Sequence, residues 1–436
     1  MRFASTRDAA LTATLSEAIR QGIAPDGGLY VPERFPSFQI SDFDRAGTLP
    51  DVAERLLAPF FAGDAMAEHL SQVVREAFNF PAPVKDIAGR EGLSVLELFH
   101  GPTAAFKDFG ARFLAACLER QPHEPGRPLT ILVATSGDTG GAVAAAFHGK
   151  PWARVVVLFP EGLVSPRQQQ QLTCWGGNVS SLAVAGTFDD CQRLVKEAFA
   201  DDGLRQRFEL SSANSINIGR LLPQSVYYAA SSLEIWRRER RAAGYVVPSG
   251  NLGNVVACLW AREMGLPIGP VELAHNANRT VPDFLETGEW RPRPSVATLA
   301  SAMDVGNPSN MERLRWMHPD WRTLAAQLNA QSIDDGRIRD RIRADFDALG
   351  ETWCPHTATA AEAYACMPEA RRGERRWVLV ATAHPAKFDE IVEPLLGTRV
   401  PVPPALAELL ELPSRFTRIP ASLAGLVAAL CDEWPP

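Results

Sequence analysis

Lysine is scarce in this chain. Of its 44 lysine and arginine residues only Lys85, Lys107, Lys150, Lys196 and Lys387 are lysines, so arginine supplies nearly all the positive charge. Long apolar runs are missing as well. None approaches the roughly 18 residues of a membrane-spanning helix, so no membrane association is expected. The opening MRFASTRDAALTATLSEAIRQG has no uninterrupted apolar stretch, which predicts no secretory signal, and Asp8 and Glu17 speak against a transit peptide. The seven cysteines are scattered without a C-x-x-C pair, a pattern that fits reduced thiols in the cytoplasm rather than a disulfide framework. The eight histidines form no H-x-x-H or H-E-x-x-H, so no metal site is expected. A net charge of −7 argues against nucleic acid or an anionic membrane as the main partner.

What recurs is a unit in which a β-rich apolar run leads through a Gly/Ser/Thr/Pro loop into a helical pattern. LTILVA (129–134) runs through TSGDTGG into AVAAAF, and RVVVLF (154–159) through PEGLVSP into a Gln-rich helix start. YVVP (245–248) runs through SGNLGN into VVACLWARE, and WVLVATA (377–383) through HPAK into FDEIVEPLL. Continuous apolar strands alternating with helices predict an α/β protein with parallel sheet covered on both faces. Ligands in such folds bind at the loops after the strand C-termini. A chain of 436 residues is long for one core, so two or three domains are expected. The first 85 or so residues read as mostly helical, the stretch 320–375 as an exposed helical cover, and the Pro-punctuated last forty as a surface wrap.

Two loops have the composition of an anion seat. In SGNLGN (249–254), small residues before a helix let backbone N–H groups converge where the helix dipole favours negative charge. The loop is neither G-x-x-x-x-G-K-[ST] nor G-x-G-x-x-G, and is either a tight strand-to-helix turn or a seat for a phosphate monoester. TSGDTGG (135–141) has the same character, with Ser136, Thr139 and nearby amides able to cradle a carboxylate. Asp138 there is either a helix N-cap or a functional group. Lys107, in HGPTAAFKDFG (100–110), lies among Ala104, Ala105, Phe106 and Phe109. An apolar setting lowers an amine pKa, and lysine, unlike arginine, can become a neutral nucleophile. A reactive lysine with a phosphate seat is the minimal kit for pyridoxal phosphate.

HGPTAAFKDFG, ATSGDTGGAV, PSGNLGN and ATAHPAKF together resemble the threonine synthase family of bacterial and fungal type. STRD with APDGGLYVPE (24–33), NSINIGRLLPQ (214–224), TVPDFLETG (280–288) and AMDVGNPSN (302–310) extend the likeness almost end to end. The resemblance implies a fold-type II pyridoxal-phosphate enzyme related to the tryptophan synthase β subunit, with two doubly wound sheet domains and a mainly helical N-terminal extension. The expected divisions are an N-terminal domain at 1–85, a large cofactor-binding α/β domain at 86–128 and 219–436, and a small α/β domain at 129–218. It further implies that Lys107 forms the imine with the cofactor, that Gly250, Asn251, Leu252, Gly253 and Asn254 hold its phosphate, and that Thr382 hydrogen-bonds its pyridine nitrogen. Asp138 falls where many relatives carry asparagine beside the cofactor. Leu252 and Asn254 depart from the family's usual Phe and Asp, a change that backbone binding tolerates. Ser136, Gly137 and Thr139 are expected to receive the substrate carboxylate, with Thr103 close to Lys107 in sequence.

The implied reaction is that of a carbon–oxygen lyase: O-phospho-L-homoserine and water give L-threonine and phosphate, the last step of threonine biosynthesis. Arg220 is the leading candidate for the substrate phosphate, with Asn214, Ser215 and Asn310 behind it. A surface salt bridge is the other reading of Arg220. His100 and His384 read equally as participants or as structural residues. A monomer or homodimer in the cytoplasm is expected. Two rivals share the residues: a serine or threonine dehydratase using the same cofactor, and a non-catalytic metabolite-binding α/β protein.

Overall fold

The computed structural model describes residues 1–434. Its strands are β1 (Phe3–Ser5), β2 (Thr12–Ala13), β3 (Tyr30–Pro32), β4 (Val84–Asp86), β5 (Leu93–Glu97), β6 (Leu129–Ala134) and β7 (Ala153–Pro160). They continue with β8 (Val179–Ala185), β9 (Glu209–Ser212), β10 (Ala243–Pro248), β11 (Ile268–His275), β12 (Leu328–Ser332), β13 (Trp377–Ala381) and β14 (Thr417–Pro420). The larger sheet runs β12-β11-β10-β13-β5-β4 and the smaller β14-β8-β7-β6-β9. Every pairing within these two is parallel except β4 with β5. The reason lies in the sequence. β6, β10 and β13 are buried along their whole length, so both faces need a helical cover, and parallel crossovers supply it.

Three segments depart from expectation. The N-terminal region is not only helical: β1, β2 and β3 form a small antiparallel sheet, and its helix Leu49–Phe61 turns Val52, Leu56, Leu57, Phe60 and Phe61 into the interior. Strand β12 lies inside the stretch read as a helical cover. Its polar sequence LNAQS suits an edge strand, because Asn329 Nδ2 and Gln331 Nε2 donate to the buried Glu272 carboxylate of β11 at 2.5 and 2.9 Å. Arg371 completes that group's partners at 3.0 Å. The third departure is a correction to a domain boundary. The last strand of the larger sheet ends at Ala381, and β14 extends the smaller sheet alongside β8, Thr417 opposite Leu182, where the sequence predicted that the chain would stay with the larger domain to 436. Four residues bounded by turns carry too little pattern to announce so distant a pairing.

The helix Leu423–Glu433 that follows β14 buries Leu426 and Leu430 with Ile419 against Leu182, Val184, Cys191 and Leu194. Deleting a fully buried leucine side chain costs about 2–5 kcal/mol. Leu426→Ala should therefore lower the denaturant midpoint of the smaller sheet's unfolding clearly. An unchanged midpoint would mean that this helix is not docked in solution.

Candidate active site

The strand C-termini of the two sheets face a common cleft. Lys107 enters it from a tightly specified turn. Phe106 N–H donates to the Thr382 carbonyl at 2.8 Å and His384 N–H to the Ala104 carbonyl at 3.0 Å, so residues 104–106 run beside the end of β13. Asp108, in the first turn of the helix Lys107–Glu119, folds back to accept from Thr103 N–H at 2.9 Å and Thr103 Oγ1 at 2.7 Å. A carboxylate at that end also complements the helix dipole. Gly101 is required for this staple, since a Cβ there would lie 2.4 Å from Asp108 Oδ2. One turn on, a Cβ at Gly110 would meet the Arg220 carbonyl at 2.7 Å, which seats the helix directly on Arg220.

The Lys107 amine has no hydrogen-bond or ion-pair partner among the described residues and lies 4.5 Å from the Phe106 ring centroid. The residue keeps some accessible surface toward the cleft, while the protein around its amine is as dense as the interior. That enclosure, helped by the Arg220 guanidinium and opposed by Asp138, pushes the amine down to about 8 from an ordinary 10.5.

The SGNLGN loop leaves β10 and opens the helix Gly253–Glu263. Leu252 adopts the left-handed conformation at φ 63°, unusual for a non-glycine residue, and is held by burial. Gly250 passes so close to the backbone of Met303 that a Cβ would lie 2.7 Å from Met303 Cα. The amides from Gly250 to Val255 donate to no protein acceptor among the described residues. Asn254 presents a further donor: its Oδ1 accepts from Tyr227 and Tyr228 hydroxyls at 2.5 and 2.9 Å, which leaves Nδ2 buried without a partner. Converging unpaired donors at a helix N-terminus fit a phosphate. The Thr382 hydroxyl, also on the cleft wall, is likewise without a protein partner among the described residues.

On the opposite wall, Thr135 Oγ1 accepts from Gly137 and Gly140 N–H at 3.0 and 2.9 Å and shapes the TSGDTGG turn, leaving the hydroxyls of Ser136 and Thr139 on the cleft wall. Asp138 is buried; desolvation opposes its charge, but the Lys387 ammonium beside it holds its carboxyl below the usual range. Lys387 Nζ lies 2.7 Å from Asp138 Oδ1, and Gln168 Nε2 donates to the same oxygen at 3.0 Å. His356 Nε2 accepts from Ala302 N–H at 3.1 Å, and burial pushes the ring down to about 4, so it is neutral.

Of the residues singled out in the sequence, Lys107, Ser136, Asp138, Thr139, Asn214, Ser215, Gly250, Asn251, Leu252, Gly253, Asn254 and Thr382 all line the cleft. Gly137, Thr103, Arg220 and Asn310 do not. Gly137 serves the turn, at φ 137°. Thr103 is fully buried beneath Lys107, its hydroxyl spent on Asp108. Arg220 is no surface salt bridge; it is buried, with Nη1 donating to the Ala213 carbonyl and Nε unpaired. Asn310 holds the walls together, donating to Ser215 Oγ and the Asn251 carbonyl at 3.2 and 3.0 Å. His100 pairs with Glu97 and His384 caps the turn Pro385–Phe388. Sequence reasoning passed over His356, Gln168, Phe188 and Gln192. Nothing in a helical pattern separates a wall residue from a cover residue. Lys387 had one available signal, the rarity of lysine itself.

The family model "Pyridoxal-phosphate dependent enzyme" matches residues 82–383, flanked by "Threonine synthase N terminus" over 2–78 and "Threonine synthase, C-terminal" over 357–430. The chain is 40% identical over 428 residues to a threonine synthase of Serratia marcescens, covering 98% of each. It superposes on the crystal structure of threonine synthase from Escherichia coli with a TM-score of 0.90 at 37% identity, covering 99% of this chain and all of that one. The pyridoxal-phosphate-bound threonine synthase structure from Brucella melitensis gives 0.89 at 33% identity, with both chains covered completely.

Because burial depresses the Lys107 pKa, its neutral form should accumulate as pH rises through about 8, not 10.5. Trace acetylation of the cofactor-free chain, read at Lys107 by mass spectrometry across pH 6–11, should rise with that midpoint. A midpoint at the ordinary lysine value would refute the desolvated site.

Proposed function

The chain belongs to the threonine synthase family, whose members depend on pyridoxal phosphate, and from that premise we propose that its cleft converts O-phospho-L-homoserine and water into L-threonine and phosphate. The observation that carries this reading is a partnerless amine, lowered to about 8, in one cleft with a loop of unpaired phosphate donors.

Gly250, Asn251, Leu252, Gly253 and Asn254 would hold the cofactor phosphate through the free amides and Asn254 Nδ2, Lys107 would hold its aldehyde carbon, and Thr382 its ring nitrogen. When bound, pyridoxal phosphate supplies an electron sink that stabilises negative charge on the substrate's carbon chain. Everything else falls to the chain's own groups. Lys107, with a pKa near working pH, accepts a proton from one substrate carbon and returns it to another, the property a general acid–base needs. The Ser136 and Thr139 hydroxyls would receive the substrate carboxylate, as neutral donors that leave Lys107's proton affinity undisturbed. Among the residues lining the cleft, Lys107 is the sole lysine or arginine. Of the candidates for the substrate phosphate, Asn214 and Ser215 line the cleft, with Arg220 acting as a buried positive charge rather than a direct ligand. The cysteines, all free, support the cytoplasm as the compartment, and no described helix is long and apolar enough to cross a membrane.

Reconstituted protein should show a visible band at about 410–430 nm, the range of a protonated pyridoxal imine, and release phosphate from O-phospho-L-homoserine. Lys107→Ala should lose both; turnover of serine without phosphate release from the phosphorylated substrate would sink the assignment. Gly250→Ala should weaken cofactor binding by about tenfold or more in a spectroscopic titration, since the new Cβ displaces the donor loop. Unaltered affinity would move the phosphate seat elsewhere.

A further inference from the structure

Two lysines are drawn into the interior of a protein that otherwise uses arginine, and only Lys107 has been given a role. Lys387 is fully inaccessible. It reaches from the turn after β13, in the larger sheet, across to Asp138 in the first loop of the smaller one, at 2.7 Å. A second hydrogen goes to the Thr103 carbonyl at 2.9 Å, four residues before Lys107. Gln171 donates to the same carbonyl at 3.0 Å and Gln168 to the same carboxylate oxygen at 3.0 Å, so both ends of the pair are held. Asp138 Oδ2, by contrast, has no protein donor among the described residues, and Asp138 stands on the cleft wall.

We propose that Lys387 is a positioning residue of the active site, binding Asp138 through one oxygen and cancelling its charge so that the carboxylate neither swings toward nor captures the Lys107 amine. The proposal rests on Lys107 being the working amine.

Burial makes the pairing necessary. Asp138 in this dry setting needs a cation, and the candidates around it are few. Lys387, Lys107 and His356 are the basic groups that act on it or on which it acts. His356 is neutral, with its Nε2 occupied by Ala302 N–H. Arg220, which acts on Lys107, has Asp108 as its own opposing charge. Asp108 in turn feels Lys387 and Arg112, Cys354 feels Asp138, and His384 feels Lys387. Remove Lys387 and Lys107 is the one remaining side-chain ammonium for Asp138 to recruit. Lysine suits the slot because its point charge with three hydrogens serves a carboxylate and a carbonyl in different directions. Arginine's planar fork does not.

The test uses the same trace acetylation of Lys107 on the full chain freed of cofactor. Lys387→Met should raise the Lys107 midpoint by about one pH unit or more, which at pH 8 is about a fivefold loss of neutral amine. Asp138→Asn should lower it, since Lys387 is then an unbalanced cation. Asp138→Asn with Lys387→Met should return it near wild type. Equal midpoints in Asp138→Asn and the double variant would overturn the proposal, and that comparison holds even where Lys387→Met alone does not fold. Because no cofactor is involved, failure of the functional reading would show separately, as a colourless reconstituted wild type.

Discussion

An amine without a partner in the interior of a protein sets terms for everything near it. Lysine is normally paired or well solvated; Lys107 has no partner among the described residues, and the protein encloses its amine on all but the cleft side. Each nearby carboxylate is accordingly engaged elsewhere: Asp108 with the Thr103 amide and hydroxyl, Asp138 with Lys387 and Gln168. Arg220 beneath the helix adds positive charge from a direction where it cannot form a bond to the amine. The turn that delivers Lys107 is fixed by backbone bonds to the end of β13, so the placement does not depend on the charges it has to survive.

The same groups join the two sheets. Thr103 and Lys387 follow strands of the larger sheet, while Asp138, Gln168 and Gln171 belong to the smaller one, and they meet in a single buried polar cluster. Ser165 Oγ and Arg167 add contacts to the carbonyls of Lys387 and Ala386, and Arg167 pairs with Asp389 at 3.1 Å. Polar clusters of this kind tolerate few arrangements, because every member left unpaired carries a desolvation cost. The relative setting of the sheets and the electrostatics of Lys107 are therefore one problem with one solution.

Much of this was legible in the sequence where local chemistry and local structure coincide. SGNLGN and TSGDTGG are strand-to-helix loops whose composition already states their shape, and Lys107 stood out against a background of arginine. Arg220 and Asn310 looked like ligands from their motifs, yet their side chains are consumed inside the wall, a distinction that only packing makes. The Asn254 amide is oriented by tyrosines nearly thirty residues away, and His356 reaches the cleft from a helix whose pattern carries no mark of it. β14 escaped because four residues without alternation borrow their strand character entirely from β8.

That last strand bears on how the molecule is made. β8 is synthesised well before its edge partner, and until Thr417–Pro420 arrives it presents a row of unsatisfied amides and carbonyls beside the apolar Leu182 and Val184. The smaller sheet thus cannot finish folding as the ribosome passes it; it waits, edge open, for nearly the whole remainder of the chain. A molecule clipped just before Thr417 would keep the backbone bonds that fix the lysine turn while leaving the β8 edge open to pairing with other chains.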